Sequence, residues 1–254
     1  MALCTTSAIV LRTTAFGDTS LVVHVLTKEH GRIGLMARGA RKKPGALAPF
    51  QSGSLTFYNK AGRDLQGFRE FAVREPRLGL ARAMDRFNGA ALMVELILRT
   101  SGEDASGQSF EALDMALSGM EQVADDQVWS RILAGAWEIV GTLGYAPDMA
   151  ACGSCGRAAQ DSEMFRFSLK EGGVVCERCS TPALPRLGPG ARKQLSAFLN
   201  GTHGTSSMIG DSPMVLEDAH RRPHLILLGD FVTYHVTGDP PLKSLTGLME
   251  LLVR

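Results

Sequence analysis

Two matched cysteine pairs constrain the fold of this 254-residue chain more than any other feature. Each pair has two residues between its cysteines, and twenty residues separate Cys152 and Cys155 from Cys176 and Cys179. Two intervening residues let one tight turn present both sulfurs to a metal, and a hairpin between the pairs brings up the second turn to complete a tetrahedron. The spacing therefore predicts a zinc ribbon that organises a small domain.

Two disulfides or four unrelated thiols are the alternatives to a metal site. Disulfides need an oxidising compartment, and the N-terminal sequence lacks the basic stretch, long apolar run and small-residue cleavage site of a signal peptide. No apolar run reaches the roughly 18 residues that a membrane span needs. We therefore expect a bacterial-type cytoplasmic protein with one Zn²⁺ ion. Four sulfur ligands leave that ion no vacant position for water or substrate, so its expected role is structural.

Charge is segregated along the chain, although the formal net charge is only +1. Residues 1–75 hold eleven Lys and Arg against five Asp and Glu, whereas residues 76–150 hold five against eleven. A basic face raises the local concentration of polyanions, and an acidic face repels them. The first segment is therefore the candidate nucleic-acid surface.

That first segment has the pattern of five short strands. Residues 7–13, 20–27, 32–37, 54–59 and 65–73 are rich in β-branched, aliphatic and aromatic residues, and turn-forming sequences separate several of them. Five strands at this spacing predict a small barrel or sandwich.

After Pro76 the hydrophobic pattern changes to a helical period. Residues 77–99 carry apolar side chains at steps of three or four, which predicts one long helix with an inward stripe that includes Met84 and Phe87. Further helices are predicted from Phe110 to Met120 and then at 127–143, 189–199, 212–235 with a break near Pro223, and 241–253. The glycine-containing stretch 201–207 is predicted to be a flexible connection.

A cluster of cations follows the predicted third strand. Arg38, Arg41, Lys42 and Lys43 fall within six residues. Cationic side chains at a strand end can follow a phosphate backbone, and each neutralised phosphate releases counterions, a sequence-independent gain that weakens as salt rises. A solvated basic turn is the alternative interpretation. Weaker candidates for the same role are Arg32, Lys60 and Arg63.

Four aromatic residues of the same segment are candidate stacking surfaces for unpaired bases, and each is also a candidate core residue. They are Phe50, Phe57, Tyr58 and Phe68.

No catalytic constellation is recognisable in the sequence. His24 lies in an apolar strand, the other histidines are scattered, and no GxxxxGK[ST] loop is present to cradle phosphates. An enzyme that uses the zinc as a Lewis acid is a further alternative, but four thiolates count against it. We therefore predict a protein that is not an enzyme and has no small-molecule substrate.

Several short segments occur in an informative order. They are Ala8-Ile9-Val10-Leu11-Arg12, Gly17-Asp18-Thr19-Ser20, Leu26-Thr27 through Gly31, Ala37-Arg38-Gly39-Ala40-Arg41-Lys42, Leu47-Ala48-Pro49-Phe50, and Leu143-Gly144-Tyr145-Ala146-Pro147 followed by Cys152-Gly153-Ser154-Cys155-Gly156. Together they resemble the bacterial recombination mediator family RecO over most of the chain. The sequence departs from that family's basic pattern at Pro44-Gly45-Ala46, where many relatives have serine-containing polar sequence.

The resemblance implies an α+β multidomain fold. An N-terminal OB-fold barrel (1–76) would be followed by an all-helical domain (77–150 and 181–254) with an inserted four-cysteine zinc element (151–180). It also implies a cytoplasmic protein, nucleoid-associated during repair, that binds single- and double-stranded DNA and anneals complementary strands. Such a protein helps to load recombinase onto DNA coated with single-strand binding protein, and it has RecR as a partner.

Single-strand binding proteins end in an acidic, hydrophobic tail, so a receiving groove would combine an apolar pocket with nearby cations. The candidates in the helical region are Arg131, Arg192, Lys193, Arg221 and Arg222. The alternative function for the whole chain is a zinc-ribbon scaffold that binds protein partners only, without direct DNA binding.

Overall fold

The structure is a computed structural model that describes residues 2–42, 45, 47–99, 107–200, 208–209, 212–213, 216–238 and 240–253. The predicted flexible connection at 201–207 lies outside the described residues. No helix in these ranges is both long enough and apolar enough to cross a membrane.

Five strands form a closed barrel at the N-terminus, which confirms the strand prediction. Their order around the barrel is β1-β2-β3-β5-β4, and only the β3–β5 pair is parallel. This is the strand order of an OB-fold. The strands are β1 (Ala2–Phe16), β2 (Ser20–Thr27), β3 (Gly31–Ala37), β4 (Ser52–Asn59) and β5 (Leu65–Glu75).

β1 is much longer than predicted because it serves two neighbours. Its first half pairs with β4 and its second half with β2, and the register shifts between Val10 and Arg12. Alternate side chains then point to opposite sides of the barrel. Val10 is buried inside the barrel, whereas Ile9 and Leu11 are buried on the side that meets the helical domain.

Six helices form the second domain in the part of the chain that the structure describes. They are α1 (Met84–Arg99), α2 (Gly107–Gln122), α3 (Val128–Thr142), α4 (Pro189–Asn200), α5 (Asp218–Val232) and α6 (Lys243–Leu251). A 3₁₀ turn (Ala40–Lys42) follows β3, another (Leu78–Ala81) precedes α1, a third (Asp125–Gln127) precedes α3, and a π-helical turn (Thr233–Thr237) follows α5.

The predicted single helix over 77–99 is wrong in its first two turns. Arg77 has a left-handed backbone (φ 46°, ψ 44°), and α1 begins only at Met84. The predicted inward stripe is also partly wrong, because Met84 is 63% exposed and Phe87 is exposed as well. In the first turn of α1, Met84 and Phe87 face solvent whereas Arg86 is buried, and the continuous buried face begins at Gly89 and Ala90.

The predicted break near Pro223 is wrong as well. α5 runs through this residue without interruption. Pro223 is the sixth residue of α5, so its missing N–H removes one hydrogen bond close to the N-terminus of the helix. The helix can tolerate that loss because the remaining turns pack against α3 and α6.

A small sheet lies between α3 and α4 in sequence. β6 (Phe165–Ser168) and β7 (Gly173–Cys176) form an antiparallel hairpin, and β8 (Arg186–Leu187) pairs with β6. Phe165 and Phe167 are buried in the same hydrophobic core as the helices. The cysteine-bearing element is therefore packed into the helical domain. A two-stranded ladder completes the described elements, β9 (Met208–Ile209) with β10 (Ser212–Pro213).

Candidate metal centre and nucleic-acid interface

The four cysteines of the two predicted pairs converge at one point. Their sulfurs all lie within 4.8 Å of one another, and the sulfurs of Cys155 and Cys176 are 3.9 Å apart. A metal that binds four thiolates at about 2.3 Å in a tetrahedron separates its sulfurs by about 3.8 Å, whereas a disulfide bond measures about 2.0 Å. All four cysteines are free. The site could therefore hold one metal ion, and it contains no described histidine or carboxylate.

Backbone turns set the cysteine spacing. In the first pair, the Gly156 N–H donates to the Cys152 carbonyl at 2.8 Å, and Gly156 has a left-handed φ of 72°. In the second pair, the N–H groups of Cys179 and Ser180 both donate to the Cys176 carbonyl at 3.0 Å. Each turn thus presents two sulfurs on the same side, as the spacing predicted.

The surroundings of the sulfurs shift the pKa values of Cys152 and Cys179 in opposite directions, and the thiolate is the form that binds metals. Burial raises the pKa of the Cys152 thiol, but N–H groups of Cys176, Cys155 and Ser154 point at its sulfur and lower the pKa to about 6 overall. Hydrogen bonding with the sulfurs of Cys176 and Cys155 raises the pKa of Cys179 to about 11. Crowded sulfurs in this arrangement resist carrying four negative charges at once, and a bound cation would relieve that repulsion.

The basic turn after β3 is anchored to the turn between β1 and β2. The Arg41 backbone N–H donates to the Thr19 carbonyl at 3.0 Å, and its Nη1 donates to the Gly17 carbonyl at 2.7 Å. Arg38, Arg41 and Lys42 are all exposed. Lys43 lies outside the described residues.

The loop between β4 and β5 carries two more of the predicted cations. Lys60 and Arg63 are exposed there. Gln66 holds this loop: its Oε1 accepts from the Lys60 N–H at 2.7 Å, and its Nε2 donates to the carbonyls of Lys60 and Arg63 at 3.2 and 2.9 Å. The loop is therefore ordered before any ligand arrives.

A groove of about 820 Å³ connects these two cationic regions. We call it the barrel groove; it lies between the end of β3 and the middle of β5. Arg38 and Arg63 line it together with Arg69, and Glu70 is the one acidic residue of its lining. Its apolar lining includes Met36, Leu47, Phe68 and Phe71.

Arg32 lies apart from the other predicted cations. Its Nη1 donates to the carbonyls of Ile97 and Leu98 at the C-terminal end of α1. A cation at this position hydrogen-bonds to carbonyls of the last turn of the helix and interacts favourably with the helix dipole. The structure therefore places Arg32 at the junction between the barrel and the helical domain.

Two of the four predicted stacking residues belong to the core. Phe57 is 1% exposed inside the barrel, and Phe50 is buried against Phe87 with ring centroids 5.5 Å apart. Tyr58 and Phe68 are half-buried. Sequence reasoning missed Phe16, which is 57% exposed beside the β1–β2 turn. The signal available was its position next to the turn sequence Gly17-Asp18, because turns and loops lie at the surface.

A second groove, of about 940 Å³, lies in the helical domain beside the N-terminal half of α4. Pro189, Met149 and Leu199 contribute apolar lining. Lys193 and Arg192 contribute positive charge, and the exposed Asp148 and Asp161 contribute negative charge. Lys193 is exposed, but Arg192 is buried.

Each of the other candidate cations has its own surroundings. Arg192 donates to the Gln160 carbonyl and lies 5.0 Å from the centroid of the Phe165 ring. Arg221 pairs with Asp218 at 2.7 Å. Arg222 is exposed and Arg131 is half-buried.

The fold and the site define a class of protein: an OB-fold barrel joined to a helical domain that carries a four-cysteine metal site. Two family models match this chain, Recombination protein O N terminal over residues 1–77 and Recombination protein O C terminal over residues 82–246. The chain therefore belongs to the RecO family, whose members act in DNA repair and recombination.

Individual relatives agree with the family match. The DNA repair protein RecO of Rhodopirellula baltica is 35% identical over 181 residues, which are 68% of this chain and 65% of that protein. The DNA repair protein RecO of Bacillus pumilus is 30% identical over 197 residues, 75% of this chain and 74% of the relative. The Bacillus subtilis protein of the same name is 32% identical over 178 residues, 67% of this chain and 66% of that protein.

Proposed function

We propose that this protein is a recombination mediator that binds single- and double-stranded DNA without reading sequence. It anneals complementary strands and helps to load recombinase onto DNA coated with single-strand binding protein, in the bacterial cytoplasm. The observation that carries the proposal is the set of exposed cations at one end of an OB-fold barrel. They are Arg38, Arg41, Lys42, Lys60 and Arg63.

The position of these cations agrees with the way OB-folds bind ligands. Such barrels use the face of strands 2 and 3 and the loops that follow strands 1 and 4. Arg41 is bonded to the first of these loops, and Lys60 and Arg63 lie on the second. Cations at both loops can neutralise the phosphates of two DNA strands at once, which lowers the phosphate repulsion that opposes annealing. No covalent bond is made or broken, so the protein acts as a mediator without being an enzyme.

A salt titration of DNA binding tests this proposal. The affinity for fluorescent oligonucleotides of unrelated sequence should fall log-linearly with salt. The double variant Arg38→Gln/Arg63→Gln should reduce the slope for single-stranded DNA by about 1.4, because each lost phosphate contact contributes about 0.7. The exposed helical residue Arg222 provides the control Arg222→Gln, which should leave the slope unchanged. Absence of DNA binding at low salt would contradict the proposal and favour the protein-only scaffold.

We further propose that the four thiolates hold one structural Zn²⁺. An all-sulfur tetrahedral donor set suits zinc and leaves no open coordination position. Native mass spectrometry should find one zinc per chain, and the double variant Cys155→Ser/Cys179→Ser should lose it. A metal-free wild-type protein with the same melting temperature as the zinc-bound one would contradict a structural role.

Two protein partners complete the proposal, RecR and the acidic tail of single-strand binding protein. The groove beside α4 is the candidate site for the second: it combines apolar lining with the exposed cation Lys193, and a tail bound there would also pass the exposed carboxylates of Asp148 and Asp161. A fluorescent peptide of the tail should bind the wild type, bind the Lys193→Glu variant more weakly, and bind the control Arg222→Glu normally. Unchanged binding by Lys193→Glu would place the tail elsewhere.

A further inference from the structure

The turn between β1 and β2 displays an aromatic ring to solvent. The β1–β2 ladder continues as far as the Phe16–Ser20 pair, and Gly17 closes the turn with a φ of 56°. Phe16 is 57% exposed there. An isolated apolar side chain at a surface is common, so exposure alone does not indicate a function.

The turn is held rigidly beside positive charge. Both of its outward carbonyls, those of Gly17 and Thr19, accept hydrogen bonds from Arg41. Lys42 follows Arg41 directly and is exposed. Phe16 is therefore presented by an anchored hairpin next to two cations.

The barrel groove lies at the same end of the barrel as this turn. The Leu21–Ala37 pair joins the start of β2 to the end of β3. β3 pairs with β5 only from Gly34–Leu65 to Met36–Gly67. β5 then continues past the end of β3. Beyond Gly67, the edge of β5 that faces the barrel groove pairs with no other strand among the described residues. Half-buried Phe68 lies where this opening begins: one part of it packs against the interior core of the barrel, and it also lines the groove.

On the basis of the DNA binding proposed above, we infer that these features form a track that selects unpaired DNA. Unpaired bases stack on Phe16 and on Phe68, and the intervening phosphates pass Arg41, Arg38 and Arg63. Stacking on an aromatic ring tolerates any base, because every base has a π-face. Bases inside a duplex are already stacked on one another, so duplex DNA contacts the cations and leaves both rings unused.

Charge favours a nucleic acid over a protein segment as the occupant. Three arginines and one glutamate line the groove, and Arg41 and Lys42 extend the positive charge to the turn. Single-stranded DNA is a polyanion with flat aromatic bases, so it matches both the positive charge and the exposed aromatic ring of this surface. An extended peptide would use the open edge of β5 but would have no requirement for the ring at Phe16.

Binding measurements with single-stranded DNA and with a hairpin duplex of matched length test the track. Phe16→Ala should weaken binding of the single strand by at least about fivefold and change binding of the duplex by less than about twofold, given the usual contribution of one stacked base. Phe16→Trp should retain the wild-type affinity. Leu3, another exposed apolar residue of β1, gives the control Leu3→Ala, which should leave both affinities unchanged.

A second variant covers the groove. Phe68→Leu keeps an apolar side chain of similar size but removes the aromatic face, and it should also weaken only single-strand binding. A 2-aminopurine base in the oligonucleotide should lose less fluorescence with either variant than with the wild type, because it stacks less. Equal losses for both DNA forms, or no loss for either, would overturn the track while leaving the proposed DNA binding in place. Failure of the wild type to bind DNA would overturn both.

Discussion

Arg77 lies where the chain leaves the barrel and enters the helical domain, and its side chain joins the two. Its Nη1 donates to the Phe50 carbonyl at 2.8 Å, and its Nη2 donates to Asp114 and to the Ser118 hydroxyl of α2. The guanidinium is fully buried. A buried charge is tolerated only when it is paired and hydrogen-bonded, so Arg77 contributes, together with the Lys28–Glu111 ion pair, to holding the barrel against α2.

Replacing Arg77 should therefore be costly. Arg77→Ala leaves the Phe50 carbonyl and the Asp114 carboxylate without their partner and should lower the free energy of unfolding by about 2–4 kcal/mol. Urea denaturation would measure the loss. The nearby exposed Arg74 gives the control Arg74→Ala, for which we expect a change below about 0.5 kcal/mol. Similar values for the two variants would contradict this role.

A second residue, His224, should make the free energy of unfolding depend on pH. Burial, with a smaller contribution from the charge of His220, lowers the pKa of His224 from 6.5 to about 4. Its ring lies 3.1 Å from the side-chain oxygen of Gln194 and packs against Phe198. Because the pKa in the folded state lies below that of the unfolded chain, the unfolded state binds more protons between these two values.

The free energy of unfolding should consequently fall as the pH decreases from about 6.5 to about 4, by up to about 3 kcal/mol from this residue alone. His224→Gln should remove that part of the pH dependence, whereas the exposed His220 gives a control, His220→Gln, that should retain most of it. Urea denaturation at pH 7 and at pH 4.5 would show the difference. A His224→Gln variant with the wild-type pH profile would assign the acid sensitivity to other groups.

Among the secondary-structure elements, α3 is the helix around which the second domain packs. It contacts α1, α2, α4 and α5, and Trp137 is almost fully buried on it. Close packing depends on Gly135: a Cβ at this position would lie 2.9 Å from the Ala116 Cβ and 2.6 Å from the Met93 Cε. The methionine can move away, but Ala116 cannot without a shift of α2.

Alanine substitutions at two glycines of α3 should therefore change the free energy of unfolding in opposite directions. Gly135→Ala should lower the free energy of unfolding by about 1–3 kcal/mol through overpacking. Gly141→Ala meets no atom within 4 Å and should raise it by about 0.5–1 kcal/mol, because alanine loses less backbone entropy in a helix. Thermal and urea denaturation of both variants would test the pair. Destabilisation by Gly141→Ala would contradict the packing argument.

The hydrophobic cores of the molecule do not coincide with the division of the chain into a barrel and a helical domain. One core unites the helices, the cysteine-bearing sheet and the outer barrel residues Ile9, Leu11 and Leu26. The barrel interior forms a separate core that includes Val23, Leu35 and Leu55. Loss of the proposed metal should therefore affect the helical side of the molecule and leave the barrel interior intact.

Amide hydrogen exchange would show this division. Strands of four, four and two residues cannot persist in isolation, so chelation of the proposed zinc should remove protection from β6, β7 and β8 and reduce it in α4. Protection in β2 and β3, and binding of DNA, should persist. Uniform loss of protection across the barrel would show that the metal supports the whole fold and not one element.

Much of the barrel and of the metal site was predictable because both depend on local pattern. Strand alternation and turn residues indicate five strands whatever surrounds them, and two residues between cysteines set a turn geometry on their own. The start of α1 was not predictable in this way. The apolar spacing of three or four residues continues through Leu80, so it predicted an earlier start of the helix. The left-handed backbone at Arg77 depends on its partners Phe50, just before β4, and Asp114 of α2.

The cysteine set, the order of the barrel strands and the main helices, and the concentration of positive charge in the first 75 residues can all be read from the amino-acid sequence. Only the tertiary structure decided which members of each set face solvent. Phe57 points into the barrel while Phe16 is exposed, and Arg32 binds the end of α1 while Arg38 lines the groove. The physical reason is that alternation assigns side chains to two faces, but only the packing of other elements determines which face remains open.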